Sequence, residues 1–239
     1  MTIKFKDTRF WKNYSAYDRA GSSLSMRATV DSLILWKLLT SFKFNNFLDI
    51  GTYQGLTAGL FLESCQDSRV TSIDMVDHLD LFRRLYPDYI DRFTFINQPS
   101  QTVDLKNNLY DFIFLDGDLS YEGFSTDLKN CLPQLKTTGI LAMDNNPAWA
   151  GRINAVNNLH NLKTDWVPFL KGSHSQFWHH RSVDRGEFLD SLFTDPISNF
   201  IFIRNTVDEY KNIICCATTL NIFTSTPKYF NLALQEFDI

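Results

Sequence analysis

The sequence predicts an α/β protein: a doubly wound, mostly parallel, seven-stranded sheet with helices on both faces, plus an N-terminal helix and a C-terminal extension. Three observations carry that expectation. From about residue 47, short β-rich runs alternate with helical stretches. The runs are almost continuously apolar, as strands covered on both faces must be. Each run also ends on polar residues, at the edge where open parallel sheets bind their ligands. With 239 residues, 44% of them hydrophobic and 21% charged, the chain has the length and apolar content for one such core.

Taken in order, Leu24, Met26, Val30, Leu33, Ile34, Trp36, Leu38 and Leu39 recur at roughly helical spacing and predict a helix over 24–41, whereas residues 1–23 read as irregular. Phe47-Leu48-Asp49-Ile50 is the first strand and leads into a helix over 57–65. Val70 to Ile73 leads into a helix over 80–86, and Phe93 to Ile96 into a short polar turn. The rhythm continues with strand 111–115, a helix over about 121–135, strand 139–143 and a helix over about 152–162. Strands separated by such crossovers pair in parallel, and the crossovers cover both faces of the sheet. Trp166 to Leu170 and Gln176 to Trp178 supply the last two strands. Beyond them lie a short helix at 188–193 and β-rich runs at 200–203 and 213–219, which an extra hairpin, a lid or a dimer arm would all accommodate. The expected organisation is a helical lead-in over 1–45, a central domain over 46–182 and an extension over 183–239.

Charge and composition exclude several classes. The 27 acids against 23 bases give a net charge of −4, and no Lys/Arg run exceeds two, so no nucleic-acid partner is expected. No stretch approaches the length of an apolar membrane span and the opening residues lack the apolar core of a signal peptide, so no membrane partner and a cytoplasmic location are expected. Cys65, Cys131, Cys215 and Cys216 show neither metal-knuckle nor redox spacing and read as buried thiols.

The first strand, turn and helix read Asp49-Ile50-Gly51-Thr52-Tyr53-Gln54-Gly55. Gly51 allows a sharp turn and close approach of a ligand, and Gly55 a tight helix start. This is not G-x-G-x-x-G, so a dinucleotide is poorly supported. Later strands end on Asp74, on 97–101, on Asp116-Gly117-Asp118 and on Asp144-Asn145-Asn146. Tyr110-Asp111-Phe112-Ile113-Phe114-Leu115-Asp116-Gly117-Asp118-Leu119-Ser120-Tyr121-Glu122-Gly123, followed one helix later by Lys136-Thr137-Thr138-Gly139-Ile140-Leu141-Ala142-Met143-Asp144-Asn145, is the most specific piece. It is similar to the D-G-D-H-S-Y-E and G-G-x-L-x-x-D-D/N segments of small-molecule O-methyltransferases of the catechol and macrocin types. Over residues of about 24–180 the chain resembles the class I S-adenosylmethionine-dependent methyltransferases.

That resemblance implies a Rossmann-like sheet, S-adenosylmethionine as cofactor and a small-molecule substrate, a sugar or diol-like compound methylated on oxygen. It implies Asp49, Gly51, Tyr53, Gly55, Asp74, Ser100, Gln101 and Asp116 at the cofactor, with Asp74 able to accept both ribose hydroxyls. Asp116, Asp144 and Asn145 form a set of hard oxygen donors suited to Mg²⁺, the ion that lowers the pKa of a substrate hydroxyl in metal-dependent members. Asp116 is also an expected catalytic residue. Where the resembled enzymes place Lys or His as general base, this chain has Leu119, so either another group acts, such as His174, His179 or His180 from the later loops, with His179 the one assigned, or the metal alone suffices, or the chain is not a competent methyltransferase. Trp11, Tyr14 and Tyr17 either line an aromatic pocket or pack on the core. An amine or a macromolecule as acceptor, a non-catalytic binding or assembly role, and a homo-oligomer remain open.

Overall fold

The computed structural model describes residues 3–18, 26–105, 108–144, 150–161, 165–171, 175–185, 187, 202–204 and 214–216. In chain order the helices are α1 (Arg9–Asp18), α2 (Met26–Ser41), α3 (Leu56–Ser64), α4 (Leu79–Leu85), α5 (Tyr121–Cys131) and α6 (Ala150–Asn161). The strands are β1 (Asn46–Ile50), β2 (Arg69–Asp74), β3 (Phe93–Asn97), β4 (Tyr110–Leu115), β5 (Leu135–Asp144), β6 (Trp166–Lys171), β7 (Ser175–His180), β8 (Phe202–Arg204) and β9 (Ile214–Cys216). They form one sheet in the order β3-β2-β1-β4-β5-β7-β6-β9-β8.

The first five strands pair in parallel, and β7 runs antiparallel between β5 and β6. The seven expected strands are therefore present, and the extension adds two more. Strand β9 joins β6 in parallel at Leu170↔Ile214 and Lys171↔Cys215, and β8 pairs antiparallel with β9. The helix expected at 188–193 lies outside the described residues.

Period-two alternation along the strands builds a core on each face. Phe47, Phe112, Ile140, Ala142 and Phe177 point to one side, where Phe47 stacks on Phe61 of α3 at 4.4 Å and both rings contact Phe112. Leu48, Ile113, Leu141, Met143 and Trp178 point to the other, against Phe124 and Leu128 of α5 and Val156 of α6. Each buried ring contributes roughly 1.5–3 kcal/mol, and much of the chain's phenylalanine is spent in this way.

The N-terminus departs from the expectation of irregular chain: a 3-10 turn over Phe5–Asp7 leads into α1. Its local cause is Thr8, whose hydroxyl accepts from the Trp11 amide at 3.1 Å and donates to the Phe5 carbonyl at 2.7 Å. Its distant cause is the buried Glu63 of α3, whose carboxylate takes the Arg9 amide at 2.9 and 3.0 Å and the Phe10 amide at 3.4 Å. Those are the first-turn N–H groups a helix cannot satisfy itself. Trp11 packs beside Phe5 at 5.6 Å, on the core side. Thr8→Ala is expected to lower stability by about 1 kcal/mol, read as a lower urea midpoint at unchanged slope.

Registers Ile50↔Ile73, Asp74↔Asn97, Ile50↔Leu115 and Leu115↔Met143 bring the carboxyl ends of β1 to β5 to a common edge. The polar strand ends meet there.

Candidate functional site

At the end of β1 the chain turns on Gly51, at φ +87°, whose amide donates to the Ile73 carbonyl at 2.9 Å. A side chain on Gly51 would begin 2.2 Å from the Asp116 carbonyl oxygen. The loops after β1 and β4 are thus in backbone contact. Tyr53 is left-handed at φ 45°, and Gly55 at φ 75° starts α3 against the Phe82 ring, which lies 2.6 Å from where a Cβ would stand.

Asp74, ending β2, is held by backbone on both oxygens, accepting from the Tyr53 amide at 2.8 Å and the Val76 amide at 2.9 Å. Its main-chain carbonyl accepts from Asn97 Nδ2 at 3.0 Å. A carboxylate has about four acceptor positions, so a fixed Asp74 still offers oxygen lone pairs to a ligand. Gln101, on a 3-10 turn after β3, donates through Nε2 to Asp127 Oδ2 at 3.2 Å. Burial pushes the Asp127 carboxyl up to about 6 against the opposing hydrogen bond from Ser100.

Gly51, Tyr53, Asp74, Ser100, Gln101 and Asp116 line one cleft of about 540 Å³. Met75 and Leu119 form exposed apolar parts of its wall. Two residues expected at the cofactor lie beneath this wall. Gly55 packs on α4, and Asp49 is fully buried, accepting from Ser72 Oγ at 3.0 Å. Desolvation pushes the Asp49 carboxyl up to about 7.

The acids at the ends of β4 and β5 hold a partner that the sequence reading missed. Arg152, in the first turn of α6 and 1% exposed, donates through Nη1 to Asp116 Oδ1 at 2.7 Å and Asp144 Oδ2 at 2.5 Å. Its Nη2 donates to the Gly117 carbonyl at 2.7 Å and its Nε to the Asp118 carbonyl at 3.1 Å. Burial and the neighbouring Asp144 push the Asp116 carboxyl up, while Arg152 pulls the other way. The expected metal donors Asp116 and Asp144 are thus brought together around a guanidinium, and Asn145 lies outside the described residues. Among the described residues no group of three or more His, Cys, Asp or Glu side chains is arranged to hold a metal ion. A divalent ion between Asp116 and Asp144 does not fit while Arg152 is in place.

The expected histidine base is not brought to the cleft. Register pairs Asp144 with Ser175 but Ile140 with His179, which sets His179 four residues, about 13 Å, down the sheet from the carboxyl-end edge. Burial and the nearby Arg185 lower its pKa to about 4, so it is neutral near pH 7. His180, one residue further along, has its Nδ1 beside Ser182 Oγ at 2.8 Å, and His174 lies outside the described residues. Leu119 stands on the cleft wall where a base was expected and takes no proton.

Arg152 and Asp127 both carried a readable signal. Phe124, Asp127, Leu128 and Cys131 are the buried positions of α5 at i, i+3, i+4 and i+7, and Arg152, Ala155 and Val156 repeat the pattern in α6. A charge in an apolar slot of a helical period marks a buried polar contact.

No described helix is long and apolar enough to cross a membrane. A comparison with curated protein sequences finds no match. Residues 48–146 match the protein family described as Methyltransferase domain. Among solved structures, a methyltransferase from Podospora anserina with bound S-adenosylhomocysteine superposes with a TM-score of 0.53 at 18% identity, over 63% of this chain and 77% of that one. A candidate caffeoyl-CoA O-methyltransferase from Staphylococcus aureus gives 0.58 at 15% identity, over 73% and 93%. A candidate O-methyltransferase from Klebsiella pneumoniae gives 0.53 at 16% identity, over 73% and 90%. The family match covers residues 48–146, and the strand order, the Gly51 turn and the cleft at the carboxyl edge belong to the fold that the chain shares with these structures.

Proposed function

We propose that the chain transfers a methyl group from S-adenosylmethionine to a hydroxyl oxygen of a small molecule. The observation that carries this reading is the cleft itself, in which a fixed Asp74, a glycine turn at Gly51 and a partly exposed Asp116 face one space at the ends of β1, β2 and β4. Asp74 would accept the ribose hydroxyls, and Ser100 and Gln101 would meet the adenine edge. The likeness to a structure with bound S-adenosylhomocysteine supports the cofactor. The O-methyltransferase descriptions of other neighbours support oxygen as the acceptor, and the acidic net charge of −4 supports a small molecule over a nucleic acid.

In the reaction, the acceptor oxygen forms a bond to the methyl carbon as the carbon–sulfur bond breaks. The electron pair of that bond passes to sulfur and leaves adenosylhomocysteine. The acceptor proton goes to Asp116, whose raised affinity for protons suits it to the task. Charge is annihilated between oxyanion and sulfonium, so holding the two reactants in line supplies most of the acceleration.

Calorimetry with S-adenosylhomocysteine tests the reading. Micromolar binding, about −8 kcal/mol, is expected, and Asp74→Ala is expected to weaken it by at least about 100-fold, the lower end of the value of two hydrogen bonds to a charged group. A parent chain that binds no S-adenosylhomocysteine would turn the reading towards a binding or assembly protein built on the same sheet, as Leu119 in place of a base already hints. Binding that survives Asp74→Ala undiminished would remove Asp74 from the cofactor.

A further inference from the structure

Arg152 sits where its electrostatics are costly. It lies in the first turn of a 12-residue helix, at the positive end of the macrodipole, and is 1% exposed. What offsets this is a set of four acceptors. Two carboxylates from different strands and the carbonyls of Gly117 and Asp118 all receive its N–H groups, and Phe124 lies 5.5 Å from the guanidinium carbon. The helix is pressed close as well, since a Cβ on Gly151 would meet the Leu119 carbonyl and the Tyr121 amide at 2.7 Å. The loop that Arg152 grips, Asp116 to Leu119, is also one wall of the cleft.

We propose that Arg152 is the resident cation of this site, a positioning residue that occupies the place between Asp116 and Asp144 and fixes the 116–119 wall, so that cofactor binding and methyl transfer proceed without a divalent metal. The part concerning transfer rests on the function proposed above; the occupancy of the acidic pair by Arg152 does not.

The consequence is that removing the guanidinium should uncover a cation site. Arg152→Met keeps the apolar stem and deletes the charge, leaving two facing carboxylates of the kind that bind Mn²⁺. Mn²⁺ titration followed by electron paramagnetic resonance is expected to show no stoichiometric binding to the parent up to millimolar ion. One bound Mn²⁺ is expected on Arg152→Met, removed again by adding Asp144→Asn. Arg152→Lys, which retains a cation, is expected to bind no Mn²⁺ and to recover part of the S-adenosylhomocysteine affinity that Arg152→Met loses. A purely structural arginine would give loss of stability without a gain of metal.

Stoichiometric Mn²⁺ binding by the parent, abolished by Asp144→Asn, would overturn the proposal. So would a folded Arg152→Met that binds no Mn²⁺, or parent affinity for S-adenosylhomocysteine that falls tenfold in EDTA. Should Arg152→Met fail to fold, the parent titration and the Arg152→Lys measurement still decide. A parent that binds neither Mn²⁺ nor S-adenosylhomocysteine would sink the proposed function and leave Arg152 as the occupant of the acidic pair.

Discussion

Gly51→Ala is expected to lose about 3 kcal/mol or more of folding stability and to eliminate measurable S-adenosylhomocysteine binding. Two costs act together. The residue stands at φ +87°, where an L side chain costs about 1–2 kcal/mol. Its Cβ would also begin 2.2 Å from the Asp116 carbonyl oxygen, a backbone atom that no rotamer change can move. Relief requires the β1 and β4 loops to separate, and both line the cleft. Gly117→Ala is the control, because its nearest neighbours are side-chain atoms at 3.0 and 3.2 Å from Ile50 and Asp127, and its effect should be well under half as large. Urea denaturation and calorimetry on the two variants measure both quantities. A Gly51→Ala chain with the parent's midpoint would mean that the two loops do not meet as described.

Asp49→Asn is expected to stabilise the protein, increasingly so as pH rises. The folded Asp49 carboxyl is pushed up to about 7 from an ordinary 3.8 because it is wholly buried. Between those values the folded chain holds a proton that the unfolded chain has released. By linkage the contribution of Asp49 falls as pH rises through this window and is fully unfavourable above 7. Asparagine removes the titration, so the stability of the variant relative to the parent should grow by about 2 to 3 kcal/mol between pH 5 and pH 8. Urea midpoints at four pH values would show it, and a difference that stays constant across them would mean that Asp49 is ionised in the folded state throughout.

The parallel core was legible because its physics is local. Apolar runs such as Phe112 to Leu115 have no use except as strands covered on both faces, and the acids and glycines that follow them are where crossovers begin. Helix α1 was not legible, since its first-turn amides are capped by Glu63, more than fifty residues away. The acidic pair misled for a related reason. Asp116 and Asp144 look like metal donors when only carboxylates are counted, and the cation that answers them arrives from α6, in a slot that sequence periodicity gives to an apolar residue. His179 failed by register, because its place on β7 becomes readable only when the antiparallel partner of β5 is known.

The coupling of β9 to β6 bears on how this protein behaves in concentrated solution. Strand β6 lies between β7 and β9, Pro168 within it offers no N–H, and among the described residues β9 pairs with it at Leu170 and Lys171, beyond the proline. An unpaired strand edge invites another chain to dock in register and seed aggregates, and a proline on that edge interrupts the ladder it would need. Strand β6 thus takes its pairing from its own chain beyond a proline that would interrupt the ladder of a stranger.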